Sequence, residues 1–288
     1  TAGNSSGYTF VPGLDAPGSN LFGTSITVST GGNNDLDQYV DDVIALTQAA
    51  LDNIAVYLSA ATGATLDVAV TLAQQGPSTV ASAGSGALYF GDVVNGVQEV
   101  VTASQIEFLT GNDPNGAGSD INVTINTDFL TSAQAFLETG ANRIPGANQL
   151  DYVSVLTHEI MHGLGFFAFR DNSGDDYLFD LGNGPVPIES TYGLSVDFVG
   201  ELGSLVPEYT SSNVDEVYGE SVLLEYLFND PGSDVSHFGR FDTANNSTAL
   251  RFALMNPAVV GGDVTTLGAI ELAVFKDLGY TIEHDANL

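Results

Sequence analysis

The sequence predicts an α+β fold, and three observations support this prediction. The chain has 288 residues and 43% of them are hydrophobic, enough for one large domain or two closely joined subdomains with a proper core. Apolar residues recur at three- and four-residue steps in some segments and alternate in others, which indicates separate helices and strands. From residue 166 onward, long periodic runs become rare, so an irregular second half is expected.

The first long helix is predicted over residues 35–61. Its apolar stripe consists of Val40, Val43, Ile44, Leu51, Ile54, Ala55 and Leu58. Asp35 is the candidate N-cap of this helix and Gly63 its candidate stop. A stripe of this kind packs against a core, so no chemistry is assigned to it.

The other elements follow from shorter patterns. Strands are predicted at Ser25–Ser29, Thr65–Ala73, Ala87–Phe90, Val97–Val101 and Ile121–Ile125. Further helices are predicted at Thr131–Glu138, Gln149–Leu164, Ser221–Phe228 and Thr266–Leu278. In the Gln149–Leu164 helix, the buried stripe is formed by Val153, Leu156, Ile160 and Leu164, and Gly165 is placed to take a left-handed turn after it.

The composition limits the classes of partner. Asp and Glu total 36 whereas Lys and Arg total only 5, so the net charge is −31. Such a chain has no cationic surface for nucleic acid, and we expect none as a partner. No apolar run is long enough for membrane insertion, and the like charge favours a monomer. A salt-rich habitat, weakly bound cations such as calcium, or resistance to proteases that cut after basic residues would each account for the charge.

The chain contains no cysteine. Disulfides, thiolate metal ligands and thiol catalysis are therefore excluded. The absence fits a secreted, extracellular bacterial or archaeal protein, although it does not define the compartment. The chain begins with Thr1 rather than Met, so we expect either a processed product or an artificially trimmed chain.

The strongest motif is His158-Glu159-Ile160-Met161-His162. Two histidines four residues apart on a helix point the same way and can bind one metal ion. The intervening glutamate can act as general base toward a water on that metal. By helical rotation, both histidines should lie opposite the buried stripe, on a face that borders a cavity.

A catalytic zinc ion usually has three protein ligands, so a third must come from elsewhere. His237 is the favoured candidate, and His284, near the C-terminus, is the other remaining histidine. A carboxylate such as Glu216 or Glu220 is a further option, because some zinc enzymes use two histidines and a glutamate.

The combination of these motifs resembles the metzincin clan of zinc peptidases. The resemblance rests on three segments: 158–165, Ser236-His237-Phe238 and Ala253-Leu254-Met255-Asn256-Pro257. The usual metzincin motif has its third histidine three residues after the glycine. Here that position is Ala168, and the later His237 is similar to the leishmanolysin-like branch and related bacterial secreted peptidases.

The resemblance implies a specific architecture. We expect a metzincin-like catalytic domain, with a twisted mixed sheet and two long helices in an N-terminal subdomain, 1–166. An irregular C-terminal subdomain, 167–288, would end in a helix and carry the third ligand, with the active-site cleft between the two. By the order of elements, Ile121–Ile125 is the expected edge strand along which an extended peptide substrate binds.

The resemblance also implies a function, that of a secreted zinc metalloendopeptidase acting on proteins or peptides. One catalytic zinc ion would be bound by His158, His162 and His237, with Met255 beneath it as an apolar floor. Glu159 would activate the zinc-bound water. Two alternatives remain: a non-catalytic metal-binding or structural secreted protein, and a zinc hydrolase with a glutamate as third ligand.

Two weaker site assignments accompany this one. Arg240, Tyr192 and Tyr218 are candidates for stabilising the oxyanion. The acidic run 171–176 is a candidate calcium site, because clustered carboxylates with a glycine suit a hard cation.

Overall fold

The computed structural model describes residues 5–10, 22–94, 97–167, 196–199, 206–209, 211–219, 222–223, 237–238, 253–257 and 260–283. The described part has mixed α and β structure with a mixed sheet, as the sequence predicts. Its helices are α1 (Val40–Ala55), α2 (Ala103–Thr110), α3 (Thr127–Leu130), α4 (Tyr152–Gly163), α5 (Ser212–Tyr218) and α6 (Ala269–Asp277), with a 3-10 helix at Asn34–Tyr39. No helix among these residues is both long and apolar enough to cross a membrane.

The strands are mostly short. They are β1 (Ser5–Phe10), β2 (Gly23–Ser29), β3 (Leu58–Ser59), β4 (Thr65–Ala73), β5 (Ala81–Ser85), β6 (Leu88–Val94), β7 (Val97–Thr102), β8 (Ile121–Asn126), β9 (Ala135–Phe136), β10 (Leu150–Asp151), β11 (Val196–Val199), β12 (Val206–Tyr209), β13 (Val222–Leu223) and β14 (Thr281–Ile282).

The main sheet has five strands in the order β1-β2-β4-β8-β5. Strands β2, β4 and β8 run parallel, and β1 and β5 pair antiparallel at its two ends. Alternate residues of the central strands point into a core, as in β4, where Leu66, Val68, Val70 and Leu72 are buried. Helix α4 packs against both β5 and α1, so the motif-bearing helix belongs to the core of this layer.

The chain divides into two compact units. The first comprises Thr1–Ala87, Thr102–Leu164 and Val259–Thr266, and it holds the five-stranded sheet with α1 and α4. The second comprises Leu88–Val101, Gly165–Ala258 and Leu267–Leu288. It contains the three-stranded antiparallel sheet β11-β12-β13 and the packed pair α5 and α6.

Two helix predictions are wrong. Residues 131–138 hold no helix; the short helix α3 lies just before them, and Ala135–Phe136 pair in parallel with Leu150–Asp151. The side chain of Asn126 accepts from the Asp128 N–H, which starts α3 earlier than the apolar spacing suggests. In the predicted helix 221–228, Val222–Leu223 form strand β13, and the remaining residues lie outside the described ones.

The predicted edge strand is also wrong. Strand β8 pairs with β4 on one side and with β5 on the other, so it is an inner strand. The edge next to it is β5, at residues where the sequence shows small side chains and no apolar alternation. Both flanks of β8 are therefore occupied, so a peptide cannot pair with β8 itself, and the sheet edge nearest to it is β5.

Candidate metal centre

Helix α4 fixes the two histidines of the motif. Asp151 caps its N-terminus by accepting from the Ser154 N–H at 3.2 Å. Both oxygens of the same carboxylate accept from the Arg143 Nε–H at 2.8 Å. The helix therefore starts from a buried ion pair. At the other end, Gly165 has φ +106°, the left-handed turn predicted from the sequence.

The two imidazoles converge one helical turn apart. The Nε2 atoms of His158 and His162 are 3.2 Å from each other, and the rings meet edge to face with centroids 4.8 Å apart. His162 is buried and His158 is half-buried. The predicted stripe is buried as expected, but α4 is covered on more sides than that stripe requires, since Tyr152, Ser154 and Met161 are buried too.

His237 is held through its neighbour. The backbone N–H of Phe238 donates to the carbonyl of Met255 at 2.9 Å. The Phe238 ring, fully buried, packs edge to face against Phe166 at a centroid distance of 5.3 Å. Met255 is itself fully buried, and its N–H donates to the carboxylate of Glu271 at 3.3 Å. The segment that carries His237 is thus fastened to the 253–257 turn by main-chain and aromatic contacts.

The two histidines of α4 have the spacing of metal ligands. They belong to the first unit, and His237, the predicted third ligand, belongs to the second. Three imidazoles are a donor set that zinc accepts, with one position left for water or substrate. Zinc–nitrogen bonds of 2.0–2.1 Å in a tetrahedral arrangement put two ligand nitrogens roughly 3.3 Å apart. The separation of the His158 and His162 nitrogens, 3.2 Å, fits that value.

Among the other candidates for a third ligand, Glu216 is exposed on α5. Glu220 and His284 lie outside the described residues. The same holds for Arg240, Tyr192 and the acidic run 171–176, while Tyr218 is described and half-buried at the end of α5.

Glu159 follows His158 on α4 and is buried, with 8% of its surface exposed. Burial raises its pKa to about 8, and the backbone N–H of Ala83, which donates to the carboxylate, opposes that shift. A nearby divalent cation would favour the ionised carboxylate, as a general base requires.

The contact from Ala83 links Glu159 to the edge of the sheet. Ala83 belongs to β5 and pairs with Val123 of β8. Since its N–H points to Glu159, it faces away from β8, on the side of the strand where the sheet ends. Sequence reasoning missed this residue because a main-chain donor leaves no side-chain signature, and β5 lacks the alternation that marks a strand.

Comparison with known proteins assigns no family. No family model matches the chain, and a search of curated proteins gives no match.

Proposed function

We propose that this protein is a secreted zinc-dependent endopeptidase that hydrolyses peptide bonds in protein substrates. One observation carries the proposal: His158 and His162 present nitrogens 3.2 Å apart on a single helix, as two ligands of one zinc ion would. The buried carboxylate of Glu159 accompanies them on the same helix. The resemblance of the His158–Gly165 and Ala253–Pro257 segments to leishmanolysin-like metzincins supports the same chemistry.

The three imidazoles are the proposed zinc ligands. When bound there, zinc would lower the pKa of a water molecule and polarise the carbonyl of the substrate. Neutral imidazole supplies no charge to cancel that of the metal, so three histidines leave the centre strongly electrophilic. This donor set favours a hydrolytic centre over a closed structural site, which has four protein ligands.

Glu159 is the proposed general base. Its carboxylate would take a proton from the attacking water and pass it to the leaving amine. The N–H of Ala83 holds one side of this carboxylate, and burial excludes bulk water that would compete for the proton. The role of Met255 is structural: its side chain is fully buried and its carbonyl anchors the residue next to His237.

The proposed substrate is an extended peptide that pairs with β5. This strand ends the five-stranded sheet, and Glu159 accepts a hydrogen bond from its outer side. A peptide added to that edge would run past the catalytic carboxylate through main-chain hydrogen bonds. An endopeptidase binds its substrate in the middle of the peptide chain and needs no pocket for a terminal charge. Pairing with a strand edge provides binding of that kind.

The first experiment separates chemistry from folding. Glu159→Gln keeps the shape of the side chain and removes the base, so we expect one zinc per chain, an unchanged Tm and loss of casein cleavage by at least roughly 100-fold. Zinc content by mass spectrometry, thermal melts and a fluorescent casein assay measure the three quantities. Cleavage by Glu159→Gln at the wild-type rate would remove Glu159 from the proposed role.

The second experiment identifies the third ligand. We expect His237→Ala to lose zinc affinity and activity, whereas His284→Ala, Glu216→Ala and Glu220→Ala keep both. Loss of zinc in Glu216→Ala or Glu220→Ala, with His237→Ala unaffected, would instead indicate a hydrolase with a glutamate ligand. Full zinc occupancy with no cleavage of any protein tested would favour the non-catalytic metal-binding protein.

A further inference from the structure

A second group of ligand-type side chains lies in the first unit, apart from the three histidines. Carboxylate oxygens of Glu107, Asp113 and Asp120 lie within 4.8 Å of one another. Glu107 is on α2, and the other two are in the loop 111–120, which leads from α2 to β8. Glu107 is 3% exposed and Asp120 is 1% exposed, whereas Asp113 is at the surface.

The two buried carboxylates are positioned by the same strand. Glu107 Oε1 accepts from the Thr65 N–H at 2.7 Å, and Asp120 Oδ2 accepts from the Asp67 N–H at 2.8 Å. Thr65 and Asp67 are alternate residues at the start of β4, so their N–H groups hold the carboxylates side by side. Each carboxylate therefore has one oxygen fixed by the backbone and one left for another partner.

The remaining oxygens receive no N–H group from the described residues. Glu107 Oε2 and Asp120 Oδ1 are buried, and the two side chains can hydrogen-bond each other only when one of them holds a proton. Asn115 Oδ1, in the adjoining loop, is likewise buried without a donor. A buried acceptor without a partner costs roughly 1–3 kcal/mol, and more when it is charged. A bound cation would satisfy such buried oxygens on neighbouring acidic groups.

The described residues of the first unit offer little positive charge to this cluster. Their one Lys or Arg side chain is that of Arg143, which is paired with Asp151. Burial raises the pKa of Glu107 to about 7, and the charges of Asp120 and Asp113 add to that rise. The acidic groups of the cluster thus repel one another, and a bound divalent cation would relieve that repulsion.

We propose that Glu107, Asp113 and Asp120 form a calcium site that ties the loop 111–120 to α2 and β4. All donors in the group are oxygens, which excludes a preference for zinc and suits a hard cation. Calcium accepts six to eight oxygens in a flexible arrangement, which a loop with Asn115 and several carbonyls can complete. Magnesium requires a stricter octahedral geometry and gives up its water molecules reluctantly. We therefore expect this site to bind magnesium more weakly than calcium.

The loop has features that would let it close around the ion. Asp113 Oδ1 accepts from the N–H groups of Asn115 and Gly116 at 3.0 and 2.6 Å, which orders the turn. Gly116 has φ +63°, a conformation that glycine adopts without strain. The side-chain NH₂ of Asn115 donates to the carbonyls of Gly118 and Ser119 at 3.1 and 3.0 Å, so its Oδ1 atom is the end left for another partner. The acidic run 171–176, predicted from the sequence as a calcium site, is a different segment.

Calcium titration of the full chain tests the proposal. The protein is first stripped with a chelator and then loaded with zinc, so that the histidine group is satisfied before calcium is added. We expect isothermal titration calorimetry to give one calcium per chain with a Kd of about 0.1–1 mM, weaker binding of magnesium, and a rise in Tm with calcium. Hydrogen exchange should show that calcium protects the amides of 111–120.

Two variants and a charge-matched control locate the site. Glu107→Gln with Asp120→Asn keeps side-chain volume and should weaken calcium binding at least about 10-fold. Asp113→Asn, at the surface, should also weaken it without risk to the core. Asp41→Asn with Asp42→Asn removes two exposed charges from α1 and should leave the affinity unchanged.

Two results would contradict the proposed calcium site. Absence of calcium binding and of any Tm change up to about 10 mM would overturn the proposal and would indicate that Glu107 and Asp120 share a proton instead. Calcium binding of wild-type strength in Asp113→Asn and in the Glu107/Asp120 pair would place the ion elsewhere.

Discussion

Glu271 shows how a single buried carboxylate can organise a turn. It is fully buried, and its two oxygens accept from the N–H groups of Gly268 and Met255 at 2.9 and 3.3 Å. The first bond caps α6, and the second holds the turn that contains Met255. Burial nevertheless raises the pKa of Glu271 above its ordinary value of 4.5, and these hydrogen bonds oppose the shift.

This shift predicts a pH-dependent stability. A carboxyl group with a raised pKa in the folded state keeps its proton to higher pH than in the unfolded chain. Its contribution to the free energy of unfolding is complete below about pH 4.5 and is lost as pH rises through the folded-state pKa. Glu271→Gln cannot titrate, so the stability advantage of the wild type over this variant should shrink as pH rises.

Urea denaturation at several pH values measures that difference. Val274→Ala, which removes a fully buried side chain from the same helix, is the control, and its deficit should stay constant with pH. Parallel stability curves for wild type and Glu271→Gln would mean that the group titrates alike in both states.

At the scale of elements, the cap of α4 deserves a direct test because the proposed catalytic side chains depend on that helix. Asp151 both caps α4 and pairs with Arg143, whose side chain is 5% exposed. Asp151→Ala leaves this guanidinium buried without its partner, so we expect a loss of about 3–5 kcal/mol in the free energy of unfolding. Asn33→Ala, at the exposed cap of the 3-10 helix, should cost only about 0.5–2 kcal/mol. Equal losses in the two variants would show that the ion pair adds nothing to the cap.

The sequence predicts the long elements and fails on the short or non-local ones. Periodicity over many residues identifies α1, α4 and α6, and strict alternation identifies β4. Helix α2 has only eight residues and begins with a capping box at Thr102, so it carries little periodic signal. The order of strands in the sheet depends on pairing across the fold, which is why the edge was assigned to β8 when β5 occupies it.

The same division applies to the candidate sites. His158, Glu159 and His162 are readable because helical spacing alone brings them to one side of α4. The donor Ala83 and the close fit of Gly163 against Ile121 are not readable, because both depend on how α4 meets the sheet. Glu107 and Asp120 likewise come together only through β4, and their spacing matches no local calcium motif.

At the scale of the whole molecule, the net charge of −31 sets how stability responds to salt. Like charges distributed over the surface repel one another and favour the expanded, unfolded chain. Raising NaCl from about 0.01 to 0.5 M shortens the Debye length from roughly 30 Å to a few ångströms, so we expect Tm to increase. Differential scanning calorimetry at pH 7 measures the increase, with sucrose of equal osmolality as control. The effect should vanish near the isoelectric point of about 4.1, and a salt effect of the same size at that pH would contradict an electrostatic cause.

The buried Arg143–Asp151 pair has one more consequence for this cation-poor chain. Trypsin must draw an arginine side chain into its own specificity pocket, and Arg143 cannot enter while Asp151 holds it. Cleavage of the peptide bond between Arg143 and Ile144 thus requires that the start of α4 first unfolds locally. The rate at which trypsin cleaves this bond under native conditions would therefore report the local unfolding of α4, with no label added to the protein.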